Sequence, residues 1–278
     1  MASCNLFDAL LMVTLVLASL SNLSVGARRL PDRLTETILG DGISYHGGAV
    51  LRGEILVSIV WYGQFKPAQK AIVVDFLLSL TSVPANNATP SAAQWWGTID
   101  RAYLSTNATA GTTNGGSNAT SRVVLAGQAT DEQYSLGKSL TLVEVFQLAA
   151  GLVPDDGALV LVLTDPGVAV EGFCSARCGL HGSDVAGAGY AYAWVGNAER
   201  QCPGQCAWPF AEPAYGPRDL PPLTPPNGDV GVDGMVVTLA TMVAGAVTNP
   251  LGDGYYEGAR DAALEACTAC AGKFGSGA

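Results

Sequence analysis

Two nearly continuous apolar runs constrain the fold of this chain more than any other feature of its sequence. Residues 56–62 read LVSIVWY and residues 158–164 read ALVLVLT, so apolar side chains occupy almost every position of both. A strand with one face in water alternates apolar and polar residues, whereas such runs are typical of strands buried on both faces. A further apolar strand is predicted near residues 190–195. The sequence therefore predicts a sheet with helices packed against it.

Segments with helical spacing alternate with these strands. Pro67 stands at a predicted first helical position, and Thr89-Pro90, Ser139 and Asp233 are predicted to cap three further helices. The last of these helices, residues 234–248, is apolar on every side, which predicts a buried central helix. The alternation predicts an α/β fold with a mixed, mostly parallel sheet, flanking helices and a disulfide-rich, Gly/Pro-rich C-terminal half.

The N-terminus has the pattern of a secretory leader. Residues 9–20 are apolar and uncharged, small residues occupy positions 24–27, and Arg28 begins a polar stretch. This order predicts a signal peptide, residues 1–27, and the alternative is a buried terminal helix. The mature chain, residues 28–278, is then expected to be a single domain outside the cell. No later apolar run is expected to be long enough for a membrane anchor.

Cysteine usage supports the same compartment. Cys4 falls in the predicted leader, and the six remaining cysteines all lie in the C-terminal half. An even number in an oxidising compartment predicts disulfides, and six cysteines allow fifteen connectivities. The alternative is a zinc site, which would require reduced thiols. The disulfide candidates are Cys174, Cys178, Cys202, Cys206, Cys267 and Cys270.

Three Asn-Ala-Thr sequons also fit a secreted chain. They begin at Asn87, Asn107 and Asn118, in segments predicted to be exposed loops. Two of them lie in residues 105–121, a stretch rich in Thr, Asn, Gly and Ser that is predicted to be a flexible loop.

Charge and histidine content exclude several classes of function. The chain has 14 Lys and Arg against 24 Asp and Glu, a net charge of −10, and no basic run. Such a chain lacks the positive surface needed to bind a phosphate backbone, so no nucleic-acid partner is expected. His46 and His181 are the only histidines, which excludes mechanisms that use several imidazoles.

Residues 174–184 (CSARCGLHGSD) bring Cys, His, Ser and Asp close together in sequence. A nucleophilic site is one interpretation, but a triad is defined by geometry in space and no nucleophile-elbow motif surrounds Ser183. The alternative is a disulfide-stapled loop in which His181 is hydrogen-bonded. We therefore predict no catalytic residue here.

Two further segments resemble metal sites. Residues 227–234 (NGDVGVDG) alternate oxygen-bearing side chains with glycines as calcium loops do, although the alternative is a glycine-rich turn that ends in a helix cap. Residues 240–250 resemble the helix of zinc proteases, but the expected ligand and base positions hold Thr241, Met242 and Gly245. This helix therefore indicates either a zinc-protease-like scaffold without its metal or an ordinary buried helix. No metal and no cofactor are predicted.

Tryptophans are possible platforms for sugar stacking. Trp95, Trp194 and Trp208 are candidates, but aromatic residues at helix or strand spacing usually belong to the core. Of the three, only Trp208 lies in a predicted loop.

Several long, ordered blocks of this sequence are distinctive. They are Trp61-Tyr62-Gly63, Tyr134-Ser135-Leu136-Gly137-Lys138, Phe173-Cys174, Arg177-Cys178-Gly179, His181-Gly182-Ser183, residues 193–197 (AWVGN), residues 202–210 (CPGQCAWPF) and residues 226–235 (PNGDVGVDGM). Together these blocks resemble the exordium family of plants, also called phosphate-induced protein 1-like, and the resemblance covers residues 45–277.

The resemblance implies an extracellular protein of the cell-wall space that is linked to brassinosteroid-responsive growth and cell expansion. It implies no enzymatic activity and no cofactor, and no catalytic residue is carried over. Members of the family usually continue past residues 274–277 into a tail that is rich in Tyr, Pro and Gly and contains a cysteine. They also tend to have one cysteine where this chain has Cys267 and Cys270.

Two functions follow as expectations. The first is a secreted, non-catalytic protein that promotes growth through an unknown extracellular protein or cell-wall glycan, with no membrane anchor. The alternative is a secreted hydrolase on a degenerate metalloprotease-like scaffold.

Overall fold

A five-stranded sheet forms the centre of the computed structural model, which describes residues 42–82, 90–105, 120–152, 157–184, 189–215 and 221–266. The strands are β1 (Ser44–Tyr45), β2 (Glu54–Tyr62), β3 (Arg122–Asp131), β4 (Ser139–Leu140), β5 (Leu159–Thr164), β6 (Ala169–Val170), β7 (Gly179–Ser183), β8 (Ala191–Gly196) and β9 (Tyr255–Tyr256). The helices are α1 (Pro67–Ser79), α2 (Ala92–Ile99), α3 (Leu142–Ala150), α4 (Pro203–Cys206) and α5 (Val230–Thr248). A π-helical turn, Asp100–Leu104, continues α2, and a 3₁₀ turn spans Arg260–Ala262.

The central sheet has the order β3-β2-β5-β8-β7. The first four strands are parallel to their neighbours, and β7 runs antiparallel to β8. A β-bulge interrupts the pairing of β2 with β3 between Val57 and Ser58. Two short pairs lie outside this sheet, β1 with β9 and β4 with β6. The prediction of a mixed, mostly parallel sheet is confirmed.

The buried strand β5 explains the layered arrangement. All six of its residues are buried, and successive side chains enter opposite cores. Leu161 points into the first core, which is formed with α1, α2 and α5, whereas Val160 and Val162 point into the second core, which is formed with α3. Helices on both faces therefore keep water away from the strand, as its continuous apolar sequence requires.

Helix α5 is the largest helical contribution to the first core. Twelve of its 19 residues are buried, although it is long and apolar enough by length and composition to cross a membrane. The expectation that no later apolar run has that length was wrong for this segment. The helix instead packs its apolar surface against β7 and β8, and 61% of its apolar stretch is buried.

Three predicted helix caps were wrong by a few residues. Ser91 caps α2, and its hydroxyl accepts a hydrogen bond from the Gln94 amide at 3.3 Å, whereas Thr89 lies outside the described residues. Thr141 caps α3 instead of Ser139, because Ser139 pairs with β6 in a short parallel ladder. Thr141 also completes a capping box with Glu144, which satisfies two terminal N–H groups.

The third correction concerns α5. Its N-cap is Asp229, which accepts from the Val232 amide at 2.9 Å, so the helix begins four residues earlier than predicted. Asp233 lies in the first turn and accepts from the backbone and side-chain nitrogens of Asn227. Its carboxylate is favourable there because the helix N-terminus is positively polarised.

Several predictions fall on residues that the structure does not describe. The leader 1–27, the sequons at Asn87, Asn107 and Asn118, Cys267, Cys270 and most of the loop 105–121 lie outside the described residues. These remain predictions.

Asp165 closes the carboxyl edge of the sheet. The chain passes from β2 to β3 on one side and then to β5 on the other, so the switch point where ligands commonly bind lies between β2 and β5. Asp165 follows β5 there and accepts hydrogen bonds at 2.7 Å from the Gln64 amide, the Gly167 amide and the Tyr134 hydroxyl. A Cβ at Gly63 would lie 2.4 Å from its carboxylate oxygen. The protein's own carboxylate therefore occupies the crevice.

The pKa of the Tyr134 hydroxyl reflects its burial and its contact with Asp165. Burial of its hydroxyl raises its pKa to about 12, and the hydrogen bond to the Asp165 carboxylate together with its negative charge acts in the same direction. The phenol therefore remains a hydrogen-bond donor to Asp165 at any physiological pH.

Replacing Asp165 tests whether the closed edge stabilises the fold. Asp165→Ala leaves three donors without their acceptor, so we expect the free energy of unfolding to fall by about 3–5 kcal/mol in urea denaturation. Asp75→Ala, on the exposed surface of α1, is the matched control and should change it by less than about 0.5 kcal/mol. Equal stability of the two variants would contradict this account.

Candidate functional site

A cavity of about 460 Å³ lies at the outer edge of β7, the last strand of the sheet. Three parts of the chain form it: the edge strands, the turn after α5 and the C-terminal part of the described chain. The lining residues are His181, Gly182, Ser183, Tyr192, Asn249, Pro250, Leu251, Gly252, Ala263 and Glu265.

The register of β7 places His181 against α5. His181 pairs with Ala193 of β8, whose side chain belongs to the core beneath that helix. Gly245 makes room for the ring, because a Cβ there would lie 2.6 Å from the His181 Nε2 atom. The imidazole is consequently only 13% exposed.

Glu265 and Asn249 complete a hydrogen-bonded cluster with this ring. The His181 Nε2 atom lies 2.6 Å from Glu265 Oε2, and the Asn249 side-chain amide donates to Glu265 Oε1 at 2.5 Å. Asn249 Oδ1 accepts from the Gly254 amide at 2.7 Å. The cluster therefore joins β7, the end of α5 and the segment that contains Glu265.

The cluster holds Glu265 in its ionised form. Burial of the carboxyl alone would raise its pKa, but the hydrogen bond and charge interaction with His181 and the hydrogen bond from Asn249 outweigh burial and lower it. An ionised carboxylate only accepts hydrogen bonds, so Nε2 of His181 carries the proton. His181 Nδ1 is buried and has no hydrogen-bond partner among the described residues.

Gly182 and Tyr192 form the opposite wall. They pair directly across β7 and β8, and a Cβ at Gly182 would lie 3.1 Å from the Tyr192 ring. The ring also packs edge-on against Phe146, with ring centroids 5.6 Å apart. Burial raises the pKa of the Tyr192 hydroxyl, which therefore stays protonated. The missing side chain at Gly182 leaves this aromatic ring in the lining of the cavity.

Two disulfides fix the chain on either side of the β7–β8 pair. Cys174 is bonded to Cys202 and Cys178 to Cys206, with Cα–Cα distances of 5.7 and 5.3 Å. They tie the segment that enters β7 to the region of α4 that follows β8. These four sulfurs are therefore neither thiolate nucleophiles nor zinc ligands.

The nucleophilic arrangement suggested by residues 174–184 does not form. His181 is in a β-strand, not in a loop, and its Nε2 atom is committed to Glu265. Ser183 lies two residues further along the same strand, and within the described part of the chain its hydroxyl makes no hydrogen bond to His181. A histidine and its orienting carboxylate are present, but the nucleophile is not in contact with them.

The calcium-like segment forms a helix-capping turn. The carboxylates of Asp229 and Asp233 accept hydrogen bonds from Gln69, Val232 and Asn227, so the oxygens are turned towards protein donors. No group of three or more His, Cys, Asp or Glu side chains suited to a metal ion occurs in the part of the chain that the structure describes.

The tryptophans occupy different environments. Trp194 is fully buried, with its indole N–H donating to the Thr164 hydroxyl, and Trp95 packs partly against the first core. Trp208 is 47% exposed, in the loop after α4.

From the sequence, His181 was expected to be hydrogen-bonded, but Glu265 was not predicted. Asn249 was included only in the segment 240–250 that resembles a zinc-protease helix, and no role was predicted for it. Glu265 follows His181 by 84 residues, and no local pattern links the two. Only the path of the chain around β7 brings them together.

Comparison with known proteins decides the family. The model of the phosphate-induced protein 1 conserved region matches residues 43–278. The chain belongs to this family. It is 49% identical to Protein PHOSPHATE-INDUCED 1 of Nicotiana tabacum, over 85% of this chain and 74% of that protein. It is also 49% identical to Protein EXORDIUM-like 1 of Arabidopsis thaliana, over 84% and 74%, and 45% identical to Protein EXORDIUM of the same plant, over 94% and 82%.

No solved structure matches this chain. The zinc-protease-like scaffold that residues 240–250 suggested is therefore not supported. The structure gives the physical reason at Gly245, where an imidazole from β7 lies against the helix and a ligand side chain would collide with it.

Lowering the pH should destabilise the fold, because it protonates Glu265 and so weakens the hydrogen-bonded cluster. Folding lowers the pKa of this carboxyl from its ordinary value of 4.5, so the folded state binds fewer protons than the unfolded state. The ionised group stabilises the fold above that value, and its contribution is lost as the pH falls through the lower folded-state pKa. We expect the free energy of unfolding of the wild type to fall more steeply than that of Glu265→Gln between about pH 5 and about pH 3. Parallel pH curves for the two proteins would show that this carboxylate adds no stability.

Removing a disulfide should destabilise the protein because each bond closes a long loop. Cys178→Ser with Cys206→Ser opens a link between residues 28 positions apart, for which chain entropy predicts a loss of about 3–4 kcal/mol. We expect a lower melting temperature and a lower secreted yield. Ser175→Ala, in the same segment, is the control and should leave both unchanged; an unchanged melting temperature in the double variant would be the contrary result.

Proposed function

We propose that this chain is an exported protein of the plant cell-wall space that promotes brassinosteroid-responsive growth and cell expansion. It acts without catalysis, by binding an extracellular protein or a cell-wall glycan. The observation that carries this proposal is the family match over residues 43–278, together with relatives in tobacco and Arabidopsis that are 45–49% identical.

The two disulfides support export. Disulfides form and persist in oxidising compartments, whereas cytosolic thiols are kept reduced. Cys174–Cys202 and Cys178–Cys206 both brace the region around the cavity, so a reducing compartment would loosen the part of the fold that carries the candidate site. The predicted leader 1–27 and the sequons point to the same compartment.

The composition of the cavity supports binding over hydrolysis. Glycoside hydrolysis ordinarily requires two carboxyl groups across the scissile bond, and among the described lining residues Glu265 is the one carboxylate. Acyl transfer requires a nucleophile in contact with its base, but Ser183 makes no hydrogen bond to His181 within the described residues. The cluster therefore supplies fixed hydrogen-bonding groups and an aromatic wall, which are the features of a binding site.

Export and growth promotion can be tested together in plants. We expect the tagged full chain to be recovered from wall fluid with an N-terminus near residue 28, and to increase cell expansion when brassinosteroid is supplied. A chain that begins at residue 28 without the leader is the control; it should stay inside the cell and leave cell length unchanged. Recovery of the full chain from the cytosol with free thiols, or an equal growth response to both chains, would overturn the proposal.

A further inference from the structure

We propose that the cavity at the outer edge of β7 binds a neutral sugar unit of a glycan through Asn249, Glu265, Ser183 and the ring of Tyr192. This assignment rests on the proposed function and names the chemical class of its partner. It concerns residues that come from three separate parts of the chain and are brought together by the fold.

The charge of the cavity favours a neutral ligand. Its described lining contains no Lys or Arg, and the whole chain carries a net charge of −10, so an anionic ligand would meet repulsion without a compensating cation. A cationic ligand gains little, because the negative charge of Glu265 is already partly offset by the donors His181 and Asn249. A neutral ligand meets no repulsion in this cavity.

Hydrogen-bonding capacity favours a ligand with several hydroxyl groups. The Asn249 amide has two N–H donors, of which one is directed to Glu265. The hydroxyls of Ser183 and Tyr192 make no side-chain hydrogen bond within the described part of the chain, although both residues line the cavity. Each hydroxyl can donate and accept, as can the hydroxyls of a sugar. The cavity therefore presents donors and acceptors close together, a pattern that a polyhydroxylated ligand matches.

The aromatic wall supplies the apolar part of such a site. The C–H face of a sugar ring packs on an aromatic ring, and the Tyr192 ring is held between Gly182 and Phe146. A held ring loses little conformational entropy when a ligand binds. Pro250, Leu251 and Ala263 add further apolar surface. The volume of about 460 Å³ lies within the range of small-ligand pockets, roughly 300–1,000 Å³.

Trp208 is the competing sugar platform because its side chain is 47% exposed. It lies in the loop after α4 and does not line the cavity. A variant at this position therefore separates binding in the cavity from stacking on an exposed tryptophan.

Binding should be measured by titration calorimetry with the full chain in its secreted, oxidised form. The probes are short neutral oligosaccharides of glucose, xylose, galactose or mannose, and a galacturonic acid oligosaccharide of equal length. We expect at least one neutral probe to bind and the acidic probe not to bind. Glu265→Gln and Ser183→Ala should each weaken binding by about 10-fold or more. The matched controls Glu54→Gln and Trp208→Ala should bind like the wild type.

Three outcomes would overturn the assignment: no neutral probe binds to the folded wild type, the acidic probe binds better, or Trp208→Ala abolishes binding while the cavity variants retain it. Near-ultraviolet circular dichroism and melting temperature establish that each variant is folded. If Glu265→Gln is not folded, binding to Ser183→Ala decides whether the cavity is the glycan site. An exported, growth-promoting protein that binds no neutral glycan would reject this cavity assignment alone. A failure of export or growth promotion would reject the proposed function.

Discussion

Complete burial of β5 is the constraint on which the rest of the structure depends. None of its six residues is exposed, and full burial of a side chain of this size stabilises a fold by about 1.5–3 kcal/mol. That gain requires strands on both sides and helices on both faces. The neighbours β2 and β8, the helix α5 on one face and α3 on the other meet this requirement. Most of the apolar stretch of α5 is buried against this sheet, so α5 is a core helix although its sequence is apolar enough to cross a membrane.

The position of the candidate site follows from how this sheet ends. Parallel sheets of this type ordinarily bind ligands at the switch point, but Asp165 fills that crevice and uses its oxygens on the protein's own donors. One open concave surface with convergent polar groups lies at the β7 edge, where the sheet ends in an antiparallel strand. The disulfides hold the chain before β7 and after β8, so the edge has a covalent brace beside it.

The parts of the fold that were predictable from sequence are those with a local cause. Continuous apolar runs predicted β2, β5 and β8, and Pro67 predicted the start of α1. The caps of α2, α3 and α5 were misplaced because several Ser, Thr and Asp residues compete at each helix start. The side chain that reaches the free N–H groups is chosen by the incoming chain, as the pairing of Ser139 with β6 illustrates.

The candidate site could be predicted only in part, for a reason that is visible at Gly245. In sequence, this glycine was a helix position that lacked a metal ligand. In the structure, its missing side chain is what admits the imidazole of His181 to the helix surface, 2.6 Å from where a Cβ would stand. The ring then reaches Glu265, and Asn249, the residue that follows α5, reaches the same carboxylate.

The missing side chain at Gly245 therefore makes room for a cluster of three polar side chains, His181, Asn249 and Glu265. No pattern of residue spacing in the sequence could predict this cluster, because it depends on the register of β7 against β8 and on the packing of α5 against these strands. The same relation limits the chemistry. An imidazole whose Nε2–H donates a hydrogen bond to a carboxylate, and whose Nδ1 is buried, is suited to fixing Glu265 in place rather than to accepting a proton from a substrate. The cluster thus holds a carboxylate and an amide in fixed positions, and the proposed recognition of a hydroxylated ligand rests on that arrangement.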